Sequence, residues 1–309
     1  MSTAGSKRAV VVAMAANLGI ALAKFVGFAF TRSSSMLAEG VHSVADTGNQ
    51  LLLLLGHRRS QHEPTPMHQF GYGRERYFWG FVVSIVLFTL GAAFAVFEGI
   101  EKMIHRHPLE SPGWAIAILL VAVVLEASSL RTALRESSAD RHGVSWWTFI
   151  RDAKSPELPV LLLEDSGALV GLLIAFVALV LTAVTGDSVW DGLGSVLIGL
   201  LLGTIAVILA TEMKSLLIGE AASPADEAAI RTAIERADRV RGLIHLRTEH
   251  LGPDQLLVAA KIDFDPDLTF AELARTIDAV EVEIRASVGA DVVIYLEPDV
   301  TRESGPAQG

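Results

Sequence analysis

Residues 38–56 read AEGVHSVADTGNQLLLLLG, and the fold turns on how that stretch is understood. The second half is an apolar run. The first half sets His42 and Asp46 four apart among small residues. At the centre of a membrane helix a charged side chain costs roughly 2.5–3.5 kcal/mol on insertion scales. Something must offset that cost if the segment is a membrane helix. Positions i and i+4 lie on one helical face, about a turn apart. An imidazole nitrogen and a carboxylate oxygen placed there reach one cation, and a divalent cation neutralises the carboxylate.

Working outward, the 309 residues are 51% hydrophobic with a mean hydropathy of +0.45, the balance of a polytopic membrane protein. A membrane helix needs about 20 mostly apolar residues. Six segments qualify, at 9–30, 35–56, 77–100, 113–134, 158–184 and 189–211. The first is too long for the apolar core of a signal peptide and carries Lys24, so it reads as a retained span. Lysines and arginines in the short loops set the orientation. Lys7, Arg8, Arg58, Arg59, Arg74, Arg76 and several more up to Lys214 fall on one side, against Arg32, Lys102 and Arg106 on the other. The first side is therefore the cytoplasm, both termini face it, and a bacterial plasma membrane is the expected location.

The chain has no cysteine, which removes disulfides, cysteine-based zinc sites and thiolate chemistry for Cu(I). Its formal net charge of -10 argues against a nucleic-acid partner.

After about residue 220 the character changes. GEAASPADEAAI, 219–230, marks a boundary. PADEAAIRTAIERADRV has helical spacing with Ile230, Ile234 and Val240 on or near one face. GLIHLRTEHLG and QLLVAAKIDFD read as strands around a GPD turn, TFAELARTIDAVEVEIRAS as a second amphipathic helix, and DVVIYLEPD as a third strand. The order α-β-β-α-β suits a sheet covered by helices on one face. The expected organisation is a six-helix transmembrane domain over 1–220, an α+β domain over 221–300, and a disordered tail over 301–309.

The fifth span supplies a second polar group, Glu164 and Asp165, inside PVLLLEDSGALVGLLIAF. Two helices with acids at similar depth can build one buried metal site. Adjacent residues point roughly 100° apart on a helix, so Asp165 is the favoured ligand and Glu164 its support or a proton relay. The alternative for each residue alone is a polar contact between helices. Of the other acids, Glu39 lies a turn before His42, and Glu98 sits late in span three, where it can snorkel. Glu126 is deeper, followed by small residues that let another helix approach; contact with the ion path and bonding to a neighbouring helix both stay open for it. Asp191 starts the sixth span and reads as a helix-start residue.

Several stretches together resemble the cation diffusion facilitators: SSSMLAEGVHSVADTGNQLLLLLG, with its H-S-x-x-D signature at His42 and Asp46, then HQFGYGRERYFW, LLLEDSGALVGLLIAF, DGLGSVLIGLLLG and LLIGEAASP. The resemblance covers about residues 8–300. The Glu-Asp pair looks most like the subgroup of the mitochondrial zinc transporter nine. What it implies is a homodimeric transporter, not an enzyme, that exports divalent metal, most often Zn2+, from the cytoplasm in exchange for protons. It also implies a ferredoxin-like cytoplasmic dimerisation domain.

The chain departs from that pattern twice. Many members carry a histidine four residues before the position of Asp165, where this chain has Leu161. Many carry a ligand histidine before EPD, where this chain has Tyr295. His245 and His250 remain, five apart, so on a strand they face opposite sides. The transport site expected here is His42, Asp46, Asp165 and Glu164, richer in carboxylate than usual. It suits Zn2+ and admits Fe2+, Co2+, Cd2+ or Mn2+.

Metal binding releases protons, because its ligands must be deprotonated, and that is the root of an antiport. The runner-up is a membrane-embedded metal-dependent enzyme, against which stands the lack of H-E-x-x-H and G-x-S-x-G motifs. Loop residues His57, His62 and His68 read as solvated, with metal collection as the alternative. Trp146 and Trp147 are expected to dock at the membrane interface.

Overall fold

The computed structural model describes residues 18–106, 112–140 and 145–300. They form two compact units. The first runs to Arg59 and resumes over Arg76–Lys214; the second comprises Ser60–Glu75 and the chain from Ser215. The expected tail over 301–309 lies outside the described residues.

The first unit is helical. Its elements are α1 (Leu18–Thr31), α2 (Ser34–Ser60), α3 (Glu75–Ile104), α4 (Pro112–Asp140), the short α5 (Trp146–Asp152), α6 (Glu157–Thr185) and α7 (Val189–Ile218). Among the described residues, four helices are long and apolar enough to cross a membrane: those within 75–104, 113–132, 159–185 and 189–218. The sequence pattern offered six. The difference has a physical origin in α2. Its 27 residues span about 40 Å, ample for a bilayer, but Glu39, His42, Ser43, Asp46 and Asn49 are all buried along it and lower its hydropathy. The start of the expected first span lies outside the described residues, and the 14 residues of α1 are apolar.

Apolar side chains split between an inner and an outer surface. Val83 and Leu87 of α3, Leu119 of α4, Leu172 and Leu179 of α6, and Ile198, Leu202 and Leu209 of α7 form one core. Large apolar residues such as Phe88, Phe97, Val124, Leu173, Val184 and Leu200 are exposed. A helical bundle with apolar residues both inside and outside is built for lipid. α4 packs along α6. α3 and α7 meet backbone to backbone: a Cβ on Gly99 would stand 2.5 Å from the Gly192 carbonyl oxygen, and one on Gly192 would stand 2.7 Å from that of Gly99. Only glycine permits that approach. α3 also contains a π-helical turn over Leu87–Ala93.

Asp191 does more than begin α7. Its carboxylate accepts from the Ser33 hydroxyl at 2.7 Å, from the Ser34 amide at 2.8 Å and hydroxyl at 3.2 Å, from the Ser35 amide at 3.3 Å, and from the Ser35 hydroxyl. It therefore caps the N-terminus of α2, where the first amides lack helical partners. The reading of Asp191 as a helix-start residue was incomplete, because the helix it caps is a distant one in sequence.

The second unit follows the α-β-β-α-β order. α8 (Pro224–Arg236) begins at Ser223, whose hydroxyl accepts from the Asp226 amide at 3.1 Å. β1 (Val240–Gly252) and β2 (Gln255–Phe264) pair antiparallel across a tight turn at 253–254. α9 (Phe270–Ser287) starts with a capping box between Thr269 and Glu272. β3 (Asp291–Asp299) then pairs parallel to β2, giving the order β1-β2-β3. A parallel pair needs a crossover, and α9 provides it. Leu256, Val258, Ala260 and Ile262 alternate along β2 onto Ile230, Ile234, Val280 and Ile284 of the two helices. Residues 60–75 lie against β1: a Cβ on Gly73 would stand 2.7 Å from the Leu251 carbonyl oxygen, and Arg74 pairs with Glu249.

Candidate metal centre

The polar face of α2 begins at Glu39 and continues through His42, Ser43, Asp46 and Asn49. Steps of three and four keep these residues on one side of a helix. His42 is fully buried, and Asp46 is 9% exposed. His42 Nδ1 lies 3.3 Å from Asp46 Oδ1, but without hydrogen-bond geometry. Neither imidazole nitrogen, nor Asp46 Oδ1, has a hydrogen-bond partner among the described residues. An unmet buried donor or acceptor costs about 1–3 kcal/mol, and a chain rarely keeps several side by side without a water or an ion to satisfy them.

α6 brings Glu164 and Asp165 to the same place, and both are buried. Asn49 Nδ2 donates to Glu164 Oε1 at 2.6 Å, which ties α2 to α6. Ser129 Oγ of α4 donates to Asp165 Oδ2 at 2.9 Å. A small cavity of about 10 Å3 is lined by Ser43, Asp46, Gln50, Glu126, Glu164 and Asp165. Its free volume fits about one water-sized particle.

Three of the four expected ligands, Asp46, Glu164 and Asp165, therefore line one cavity. His42 is not among the lining residues and adjoins the cavity through Asp46. Among the described residues no three acids or histidines stand close enough to hold a metal together. The arrangement gathers three candidate side chains at one cavity without closing a coordination shell. Glu164 and Asp165 share the cavity wall despite their adjacency, one steered by Asn49 and the other by Ser129.

Other residues were missed or left open by the sequence reading. Asn49 is seven residues after His42, and Ser129 three after Glu126, so helical spacing from an acid or histidine was the available signal. Glu126 lines the cavity, and its Oε1 also lies 3.7 Å from Lys24 Nζ. Lys24 is fully buried; its ammonium lies 3.1 Å from Glu39 Oε2 and donates to Ser43 Oγ at 2.7 Å. Five carboxyl groups, those of Glu39, Asp46, Glu126, Glu164 and Asp165, thus share this region with a single ammonium, that of Lys24, among the described residues.

The remaining candidates sit elsewhere. Glu98 is partly exposed on α3 and does not line the cavity. His62 and His68 are exposed and pack their rings on Tyr72. His245 is exposed, His250 is buried, and Tyr295 is exposed. Trp146 is half-buried, and the Trp147 side chain lies outside the described residues.

Comparison with known proteins places two family models on the chain. The cation efflux transmembrane domain matches residues 10–218, and the cytoplasmic domain of cation efflux proteins matches residues 222–299. The mouse protein named proton-coupled zinc antiporter SLC30A9, mitochondrial, is 32% identical over 263 residues, covering 84% of this chain and 46% of the relative. Metal tolerance protein C4 of Arabidopsis thaliana is 28% identical over 316 residues, covering 96% of this chain and 69% of that protein. The manganese efflux system protein MneP of Bacillus subtilis is 22% identical over 302 residues, covering 95% of this chain and 96% of that protein. The chain spans about half the length of the mouse relative.

Proposed function

This chain belongs to the cation efflux family, and on that premise we propose that it exports divalent metal ions, Zn2+ first among them, in exchange for protons. The metal is carried by His42, Asp46 and Asp165, with Glu164 as the fourth, more peripheral member. The observation that carries the reading is the cavity itself: Asp46 of α2 faces Glu164 and Asp165 of α6 across it, and the buried imidazole of His42 adjoins Asp46 with both nitrogens unmet. A divalent ion offsets the burial of the carboxylates, which is the same condition the sequence imposed.

The mechanism follows from the donor set. Ligation needs a neutral imidazole and ionised carboxylates, so loading metal releases protons and reprotonation ejects it. Closing the shell requires α2 and α6 to move against each other, which is the motion alternating access uses. A carboxylate-rich set leaves Mn2+ and Fe2+ closer competitors than a two-histidine site does.

On this reading α1 and α2 also cross the membrane, giving six spans, since both pack in the same unit as the four strongly apolar helices. The second unit lies on the cytoplasmic side with both termini, where the loop lysines and arginines concentrate, and joins two chains in a homodimer. The membrane is a bacterial plasma membrane, although the mouse relative carries a mitochondrial name.

The test is metal flux into vesicles holding purified protein under an imposed proton gradient. His42→Ala and Asp46→Ala each abolish flux while the protein inserts normally. Undiminished flux through either variant, or flux that ignores the proton gradient, refutes the proposal. Turnover of a substrate without ion movement favours the enzyme reading instead.

A further inference from the structure

Lys24 is an ammonium buried in a helix bundle, and the transport scheme above gives it no task. We propose that Lys24 is a resident cation that competes with the transported metal for Glu126. In this arrangement Glu126 rests on Lys24 when the site is empty and turns to the metal when it is loaded. The inference rests on the proposed metal site and adds a residue and a release device to it.

Three observations carry it. First, Glu126 belongs to both clusters: it lines the cavity with Asp46, Glu164 and Asp165, and its Oε1 stands 3.7 Å from Lys24 Nζ. That distance is a charge contact longer than a hydrogen bond, so the carboxylate is held without being locked. Second, the polar stripe of α2 is continuous. Glu39 and Ser43 hold the ammonium, and Ser43, Asp46 and Gln50 line the cavity. Third, Glu39 is a closer partner of Lys24 than Glu126 is, at 3.1 Å against 3.7 Å. Its Oε2 takes the ammonium at 3.1 Å, while its buried Oε1 has no hydrogen-bond partner among the described residues and sits where a Cβ on Gly171 would come within 2.5 Å. Glycine at 171 leaves α6 room for that carboxylate.

Charge sets the direction of the effect. A fixed positive charge beside a divalent cation weakens its binding, and in a low-dielectric interior the repulsion reaches several ångströms. It also keeps Glu126 out of the shell until the metal's stronger field draws it in. A carrier must release its cargo, and a competitor bound to the protein limits how tightly the metal is held. Lys24 thus works against affinity and in favour of turnover.

The experiment uses the full-length protein, with Zn2+ binding measured by equilibrium dialysis in detergent and flux measured in vesicles. Removing Lys24 alone strands Glu39, so the informative variant is the pair Lys24→Met with Glu39→Gln. The pair is expected to bind Zn2+ about tenfold tighter, the scale of outer-shell effects on metal sites, and to transport more slowly. Adding Glu126→Gln to the pair abolishes the gain. Unchanged or weaker binding by the pair overturns the inference, as does an equal gain with Glu126→Gln present. If the pair does not fold, Glu126→Gln alone decides: it weakens Zn2+ binding about tenfold, and wild-type affinity in that variant overturns the inference. His42→Ala is the control for the underlying reading. Loss of binding there with no effect of Glu126→Gln removes this inference only. Wild-type protein that binds no Zn2+ removes the reading and the inference together.

Discussion

Replacing Asp191 tests how much of the bundle's stability lies at the turn between α1 and α2. The carboxylate takes two amides and three hydroxyls from Ser33, Ser34 and Ser35, all at most 1% exposed. In Asp191→Ala the hydroxyls have other recourse. The Ser33 and Ser35 hydroxyls already stand 3.0 Å apart, and those of Ser34 and Ser195 stand 3.1 Å apart, so rotation of each hydroxyl lets one oxygen of each pair accept from the other. The amides of Ser34 and Ser35 open α2 and have no helical carbonyl to turn to. Two buried amides at about 1–3 kcal/mol each give a loss of about 2–6 kcal/mol. Asp191→Asn keeps one carbonyl oxygen and should lose about half as much, about 1–3 kcal/mol. The assay is thermal unfolding of purified protein in detergent, where the loss expected of Asp191→Ala corresponds to a fall of roughly 4–24 °C for a unit of this size. If Asp191 served only its own helix, Ser33→Ala would be silent and Asp191→Asn nearly so. A melting temperature of Asp191→Ala equal to wild type refutes the capping argument outright.

Three further outcomes follow from other contacts. Asn49→Leu removes the 2.6 Å donor to Glu164 and should weaken Zn2+ binding by about tenfold, read by equilibrium dialysis. Gly192→Val puts a Cβ 2.7 Å from the Gly99 carbonyl oxygen, which a backbone cannot yield to cheaply, and should lower stability by about 1–3 kcal/mol in the same melting assay. Burial pushes the Glu157 carboxyl up, but the hydrogen bonds and charge of Arg76, with help from Ser155, outweigh it and hold that carboxyl below its usual value. A depressed folded value adds stability above the unfolded pKa of about 4.3, and that stability is lost as pH falls through the folded value. Melting curves of wild type and Glu157→Gln should therefore differ at neutral pH and converge in acid; a constant gap across the range refutes the linkage.

What was legible in the sequence depended on range. The α-β-β-α-β order of the second unit was readable because Leu256, Val258, Ala260 and Ile262 alternate, and Ile230 and Ile234 repeat at a helical step. Both signals are local periodicities fixed by backbone geometry. The gathering of Asp46, Glu164 and Asp165 into one cavity was legible from burial cost, since isolated acids in lipid need company. The partners of those acids were not. Ser129 and Asn49 are ordinary polar residues until helix packing brings them to Asp165 and Glu164. Asp191 does stand in the first turn of α7, as its sequence position implies, but its role as a cap on α2 was hidden for the same reason: Ser33, Ser34 and Ser35 are about 157 positions away. The grouping of residues 60–75 with the second unit depends on Gly73 and Arg74 meeting β1, another long-range fact.

The charge balance of the first unit connects these details to the proposed transport. Were the four cavity carboxyls and Glu39 all ionised, Lys24 would offset one and leave four. A divalent ion offsets two more, and protons the rest. One divalent ion alone leaves two negative charges buried, which is costly in a low-dielectric interior, whereas four protons alone would neutralise the set. On the proposed reading the two exchange against each other: each proton taken up weakens the hold on the metal, and each metal bound drives protons off. A site built for metal retention would match its negative charge to the ion. This one carries an excess of carboxylate over any single ion's charge, and in the proposed transport cycle that excess ties metal movement to proton movement.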